Sequence, residues 1–134
     1  MSATEASTIV TGVDFVSVPT QNLERSVAFY GETLGLHRSV HRPENNFAEF
    51  ETGTVTLNVH DPGKMGIGAF QANKNHLALH VEDVAAARAT LEERAVSFLG
   101  DIFDTGVCHM AFFADPDGNV FMLHHRYAPR EPEG

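Results

Sequence analysis

The sequence has no tryptophan, a single cysteine in 134 residues, and no apolar run long enough to cross a bilayer. With Cys108 alone, an intrachain disulfide framework is excluded, and a reducing compartment is the simplest setting. The opening stretch, MSATEASTIV, carries neither the basic nor the apolar region of a secretory leader, so a cytoplasmic protein is expected. Basic residues are also scarce: 9 Lys and Arg stand against 18 Asp and Glu, for a net charge of −9. Such a field repels nucleic acid and anionic membranes, which leaves a neutral or cationic small molecule as the better partner. A chain of this length buries roughly two-thirds of its unfolded surface and folds without a staple.

What is present is a repeated order of elements. Val13 to Pro19 reads as a strand, and Asn22 caps a helical pattern of Leu23, Val27, Tyr30 and Leu34 that ends at Gly35. Three strand-like runs follow near 37–42, 46–52 and 54–60, separated by turn compositions. The order then restarts: a strand over His76 to Val81, a helix capped by Asp83, and strands near 96–104, 107–114 and 119–126. Pairing Phe15 with His76 takes an offset of 61 residues and pairing Asn58 with Met122 takes 64, which describes an internal repeat with a small insertion. The expected fold is therefore α+β, two tandem βαβββ modules over 9–60 and 75–127 that curl a mixed sheet into a cup. Residues 61–74 form a linker able to cover a ligand through Met65, Ile67 and Phe70, and the tails 1–8 and 128–134 are expected to fray. Ala95 stands where a glycine normally ends a helix, and Asp115-Pro116-Asp117-Gly118-Asn119 reads as a structural hairpin turn.

Three stretches carry a family resemblance: Asn22 to Tyr30 with Leu34-Gly35-Leu36, then Asn75 to Leu79, then Asp115 to Asn119. They resemble the vicinal oxygen chelate superfamily, the glyoxalase/bleomycin-resistance/dioxygenase group, over about residues 13–126. The resemblance implies a cup that, in metal-dependent relatives, holds one divalent ion between two His and two Glu. The matching positions here are Phe15, Asn58, His76 and Met122. A phenyl ring has no lone pair to donate, an amide oxygen is a weak neutral ligand, and a thioether suits soft copper, so only His76 survives as a ligand.

Strand alternation sorts the remaining residues. Val16, Val18, Leu57, Val59, Leu77, Leu79, Phe121 and Leu123 are expected to pack on the helices, while Phe15, Ser17, Asn58, His60, His76, His80, Met122 and His124 face the cup. The repeat offset adds Glu49 and Phe113 to that face, with Phe47 and His109 as further candidates. Two functions stay open. In the first, resembling the bleomycin-resistance branch, the protein is no enzyme: it carries no cofactor and sequesters a toxic, planar aromatic natural product as a homodimer in which, as the resemblance implies, each cup is completed by the partner chain. Phe15, Phe113 and Met122 would stack on the ligand, and Asn58, His60, His76 and His124 would fix its polar edge. In the second, it is a lyase, isomerase or dioxygenase with one divalent ion in a relocated site built on His76, His60 and His124, although the latter two sit one strand step, about 6.5 Å, beyond the family positions. His125 falls on the helix-facing side and is expected to be merely solvated.

Overall fold

The computed structural model describes residues 8–130, so most of the expected frayed tails falls outside it. The first module runs β1 (Phe15–Pro19), α1 (Leu23–Ala28), β2 (His37–Arg42), β3 (Phe47–Glu51) and β4 (Thr56–His60). Asn22 caps α1 by accepting the Arg25 N–H at 3.1 Å, and the helix loosens into a π turn over Phe29–Thr33 before Gly35 leaves it at φ 74°. A one-turn helix, α2 (Pro62–Met65), follows where a featureless linker was expected. Asp61 caps it and Pro62 occupies its first turn, a start signal that the glycine-rich surroundings hide in the sequence. The second module repeats the order with β5 (Leu77–His80), α3 (Val84–Glu93), β6 (Phe98–Asp104), β7 (Cys108–Ala114) and β8 (Val120–Arg126). The sheets are ordered β1-β4-β3-β2 and β5-β8-β7-β6, each with one parallel pair at its edge. Among the described residues no helix is long and apolar enough to cross a membrane.

The two sheets do not join edge to edge. Val18, Ala48, Phe50, Leu57 and Val59 from the first sheet share one core with Ala111, Phe113, Phe121 and Leu123 from the second, with Val84 and Leu91 of α3 between them. Tyr30, fully enclosed, lies 5.8 Å from the Phe50 ring on β3 and 6.0 Å from the Phe121 ring on β8. In an edge-to-edge sheet those strands would be about 19 Å apart, four strand spacings, so one ring reaches both only if the helix-bearing faces look at each other. The opposite faces, those expected to line one cup, consequently point outward on separate sides of the chain.

The hairpin turn between β7 and β8 holds this arrangement. Asp117 accepts hydrogen bonds from the Thr20 hydroxyl (2.6 Å), the Ser26 hydroxyl (3.0 Å), the Gln21 N–H (3.0 Å) and the Arg25 guanidinium (2.7 Å). Asn119 donates to the Pro19 carbonyl at 2.8 Å, and Tyr30 donates to Asp115. Burial, then the Asp115 charge and hydrogen bond, push the Tyr30 hydroxyl far above the ordinary tyrosine range, so it remains a donor. Burial alone would raise the Asp117 carboxyl, but the bonds from Thr20, Gln21 and Ser26 and the Arg25 charge outweigh it and hold the group below the usual carboxylate value.

Because the folded value of Asp117 lies below the unfolded one, its stabilisation is complete above about pH 5 and is lost as pH falls through the folded value. Asp117→Asn should flatten that acid limb in chemical denaturation, and Asp117→Ala should cost about 2–3 kcal/mol at pH 7. At the end of α3, Ala95 adopts φ 69°, a left-handed conformation that disfavours any Cβ. Ala95→Gly should raise stability by about 0.5–1 kcal/mol, read as a higher Tm; a lower Tm would contradict it.

Candidate functional site

The outer face of the first sheet follows from its register. Phe15 pairs with Thr56, Ser17 with Asn58, Glu49 with Asn58 and Phe47 with His60, so these side chains share one surface. Phe15 is 51% exposed on it. Asn58 does not present a free amide, because its Nδ2 donates to Glu49 Oε2 at 2.9 Å. Beside this pair, hydrogen bonds from Ser39 and Thr56 hold the Glu51 carboxyl below its usual value. The Nδ1 atom of His60 is out of solvent contact and has no hydrogen-bond partner.

The outer face of the second sheet carries His76, Ala78, Met122, His124, Phe112 and Met110, with Ala78 opposite Met122, Phe112 opposite Met122 and Met110 opposite His124. His76, one residue before β5, sets its ring edge-on to Phe112 at 5.0 Å. Phe113, expected here, is instead fully buried in the core, stacked 5.7 Å from Phe121. The reason is one residue of turn length. Glu51 pairs with Thr56 across four intervening residues, whereas Ala114 pairs with Val120 across five, so the offset of 64 that holds for β8 becomes 63 for β7. A one-residue change reverses which face each side chain occupies, and Phe112 takes the place assigned to Phe113. His109 moves to the core-side parity for the same reason, opposite His125, whereas Phe47 lies on the outer face. The signal was available in the sequence as the longer Asp115–Asn119 turn.

Within one chain, then, the expected site is two half-sites. Phe15, Ser17, Glu49, Asn58 and His60 lie on one outer face; His76, Met122 and His124 lie on the other, with His80 at the end of β5, 2.7 Å from Glu82 Oε2 and its ring 5.8 Å from that of His125. A relocated metal site on His60, His76 and His124 is not formed in one chain, because His60 belongs to the opposite sheet. The family's metal does not fit the donor set either: Phe15 offers no lone pair, Asn58 is engaged by Glu49, and Met122 offers only a thioether.

A cleft of about 680 Å³ opens elsewhere, on the helix side between the modules. Val16, Leu57, Leu77, Leu79 and Leu91 line it, with the Thr52–Val55 turn on one flank. That turn is the counterpart of Asp115–Asn119 in the repeat, and it is too short to staple α3 as the longer turn staples α1. Its apolar walls were expected only as packing.

The model of the Glyoxalase/Bleomycin resistance protein/Dioxygenase superfamily matches residues 12–123. The chain belongs to that superfamily. Solved structures of the superfamily share its fold. A superfamily member from Sphaerobacter thermophilus is 22% identical, with a TM-score of 0.75 over 87% of this chain and 98% of that one. TnmS3, an antibiotic binding protein from a Streptomyces species, is 28% identical, with a TM-score of 0.74 over 90% of this chain and 99% of that one. A lactoylglutathione lyase from Agrobacterium tumefaciens has a TM-score of 0.73 at 16% identity over 86% of this chain and 93% of that one, a likeness of fold alone. No curated protein matches the sequence. The superfamily thus holds binders and enzymes on one scaffold, and the outer faces must decide between them.

Proposed function

We propose that this member is a non-catalytic, cytoplasmic binding protein that sequesters a planar, neutral or cationic antibiotic-like natural product, in cups that two copies of the chain complete together. The observation that carries this reading is the replacement of three family ligand positions by Phe15, Asn58 and Met122. The exchange removes a metal's donors and leaves aromatic, thioether and amide surface, suited to stacking and hydrogen bonding to a flat ligand. Catalytic alternatives lack groups: Cys108 is buried, and Glu49 is tied to Asn58. The 28% identity to an antibiotic binding protein supports the same class.

Pairing of chains is supported by the outward-facing half-cups. β1 and β5 are edge strands, the Ser17 carbonyl of β1 accepting from the Asn73 side-chain amide at 3.2 Å, and Phe15 in β1 and Val13 and Val10 before it are 51%, 66% and 74% exposed. Joining β1 of one copy to β5 of the other would place Phe15, Asn58 and Glu49 opposite His76, Phe112 and Met122. The 61–74 loop, with Met65 and Ile67 exposed, would cover the mouth.

The test is calorimetry with bleomycin and a panel of planar polycyclic antibiotics, alongside light scattering. We expect a mass twice the 14.6 kDa of the chain, submicromolar binding of one panel member at one site per chain, and recovery of the ligand unaltered. Phe15→Ala or Met122→Ala should weaken binding by at least tenfold, the loss of roughly 1.5–3 kcal/mol of buried side chain. Turnover of the ligand, or unchanged affinity in both variants, would contradict the reading.

A further inference from the structure

His80, Glu82 and His125 gather at the end of the β5–β8 pair, with their donor atoms all within 4.8 Å of one another. Three features of the backbone hold them there. His80 ends β5 opposite His124, the Val81 N–H donates to the His124 carbonyl at 3.1 Å, and Glu82 and His125 each follow these anchors by one residue. The His80 and His125 rings lie 5.8 Å apart, tilted by 43°. His80 Nε2 meets Glu82 Oε2 at 2.7 Å, and this bond, with the charges of His80 and His125, holds the Glu82 carboxyl below its usual value. His125, expected to be merely solvated, is half-buried, and its Nδ1 is out of solvent contact with no hydrogen-bond partner.

We propose that His80, Glu82 and His125 form a binding site for a first-row divalent cation of the zinc class. Two imidazoles and one carboxylate are a borderline N,N,O donor set, and zinc takes such ligands at about 2.0–2.2 Å, with a fourth position left to water. The side chains of His80 and Glu82 are 66% and 88% exposed, so their rotamers are free to close on an ion and solvent has access to the open position. The net charge of −9 favours a cation at the surface. None of the three coincides with the family positions at Phe15, Asn58, His76 and Met122, so the site is distinct from the family's metal positions.

The experiment titrates Zn²⁺ into untagged full-length protein, purified without metal resin, against a chromophoric chelator. Wild type should bind one ion per chain with micromolar affinity. His80→Gln, Glu82→Gln and His125→Gln should each weaken binding at least tenfold, while His76→Gln on the outer face and His109→Gln on β7 leave it unchanged; circular dichroism confirms that every variant is folded. Zinc binding weaker than 1 mM, binding indifferent to the three substitutions, or binding lost in His76→Gln would each overturn the assignment.

Discussion

The carboxylate of Asp117 receives four donors from the β1–α1 junction, and the relation between the two modules depends on that contact. The turn that carries it belongs to the second sheet, whereas its partners Thr20, Gln21, Arg25 and Ser26 begin the first helix. A buried carboxylate in this position is tolerable only with all its donors in place, so the two helix-bearing faces are drawn together. Tyr30 and the Phe113–Phe121 stack then fill the space between them. The repeat is not symmetrical in this respect. Where the Thr52–Val55 turn should make the equivalent contact with α3, a cleft remains, and this half of the seam is held by packing and by the Arg94 guanidinium, which donates to the Thr33 carbonyl at 2.9 Å.

From that one constraint the character of the site follows. Facing the helices inward turns the other surfaces of both sheets outward, and each carries half of what the fold needs for a cup. Phe15 and Asn58 belong to the outer face of the first sheet, and His76 and Met122 to that of the second. An isolated chain therefore presents two open, partly apolar faces with free sheet edges beside them, a condition that a second copy relieves. The side chains that remain on these faces favour holding a ligand over transforming one: a lone imidazole at the family's metal positions, an aromatic ring, a thioether, and an amide already bonded to its neighbouring carboxylate.

Much of this was legible in the sequence. Both helix caps, Asn22 and Asp83, accept the backbone N–H three residues on, as their spacing predicts, and the pairing of Val16 with Leu57 and of Leu77 with Phe121 reproduces the offsets of 61 and 64. Ala95, the anomaly at the second helix end, does take the left-handed conformation that glycine usually supplies. Phe113 was misplaced because an offset valid on one side of a turn was carried across a turn longer by one residue, and alternation makes parity unforgiving of that. How the modules meet was not legible in the residue pattern; the family resemblance alone implied that a partner chain completes each cup. Periodicity tells which face of a strand is apolar, but an apolar face packs equally well on its own helix outside a shared cup or against a second module. Long-range contacts decide it: Asp117 with the β1–α1 junction, 91 to 97 residues apart in sequence, and Tyr30 with Phe121.

The central claim is that each cup takes its two faces from different chains, and a mixing experiment tests it most directly. Phe15→Ala and Met122→Ala chains, each deficient in ligand binding alone, are unfolded together, refolded at equal amounts and titrated with the ligand that wild type binds. Cups shared between chains predict that mixed dimers regain one intact site, built from the unaltered first module of one chain and the unaltered second module of the other. About a quarter of the wild-type sites should reappear at wild-type affinity, given random pairing. Recovery of none would mean that each chain completes its own cup, and would contradict the account.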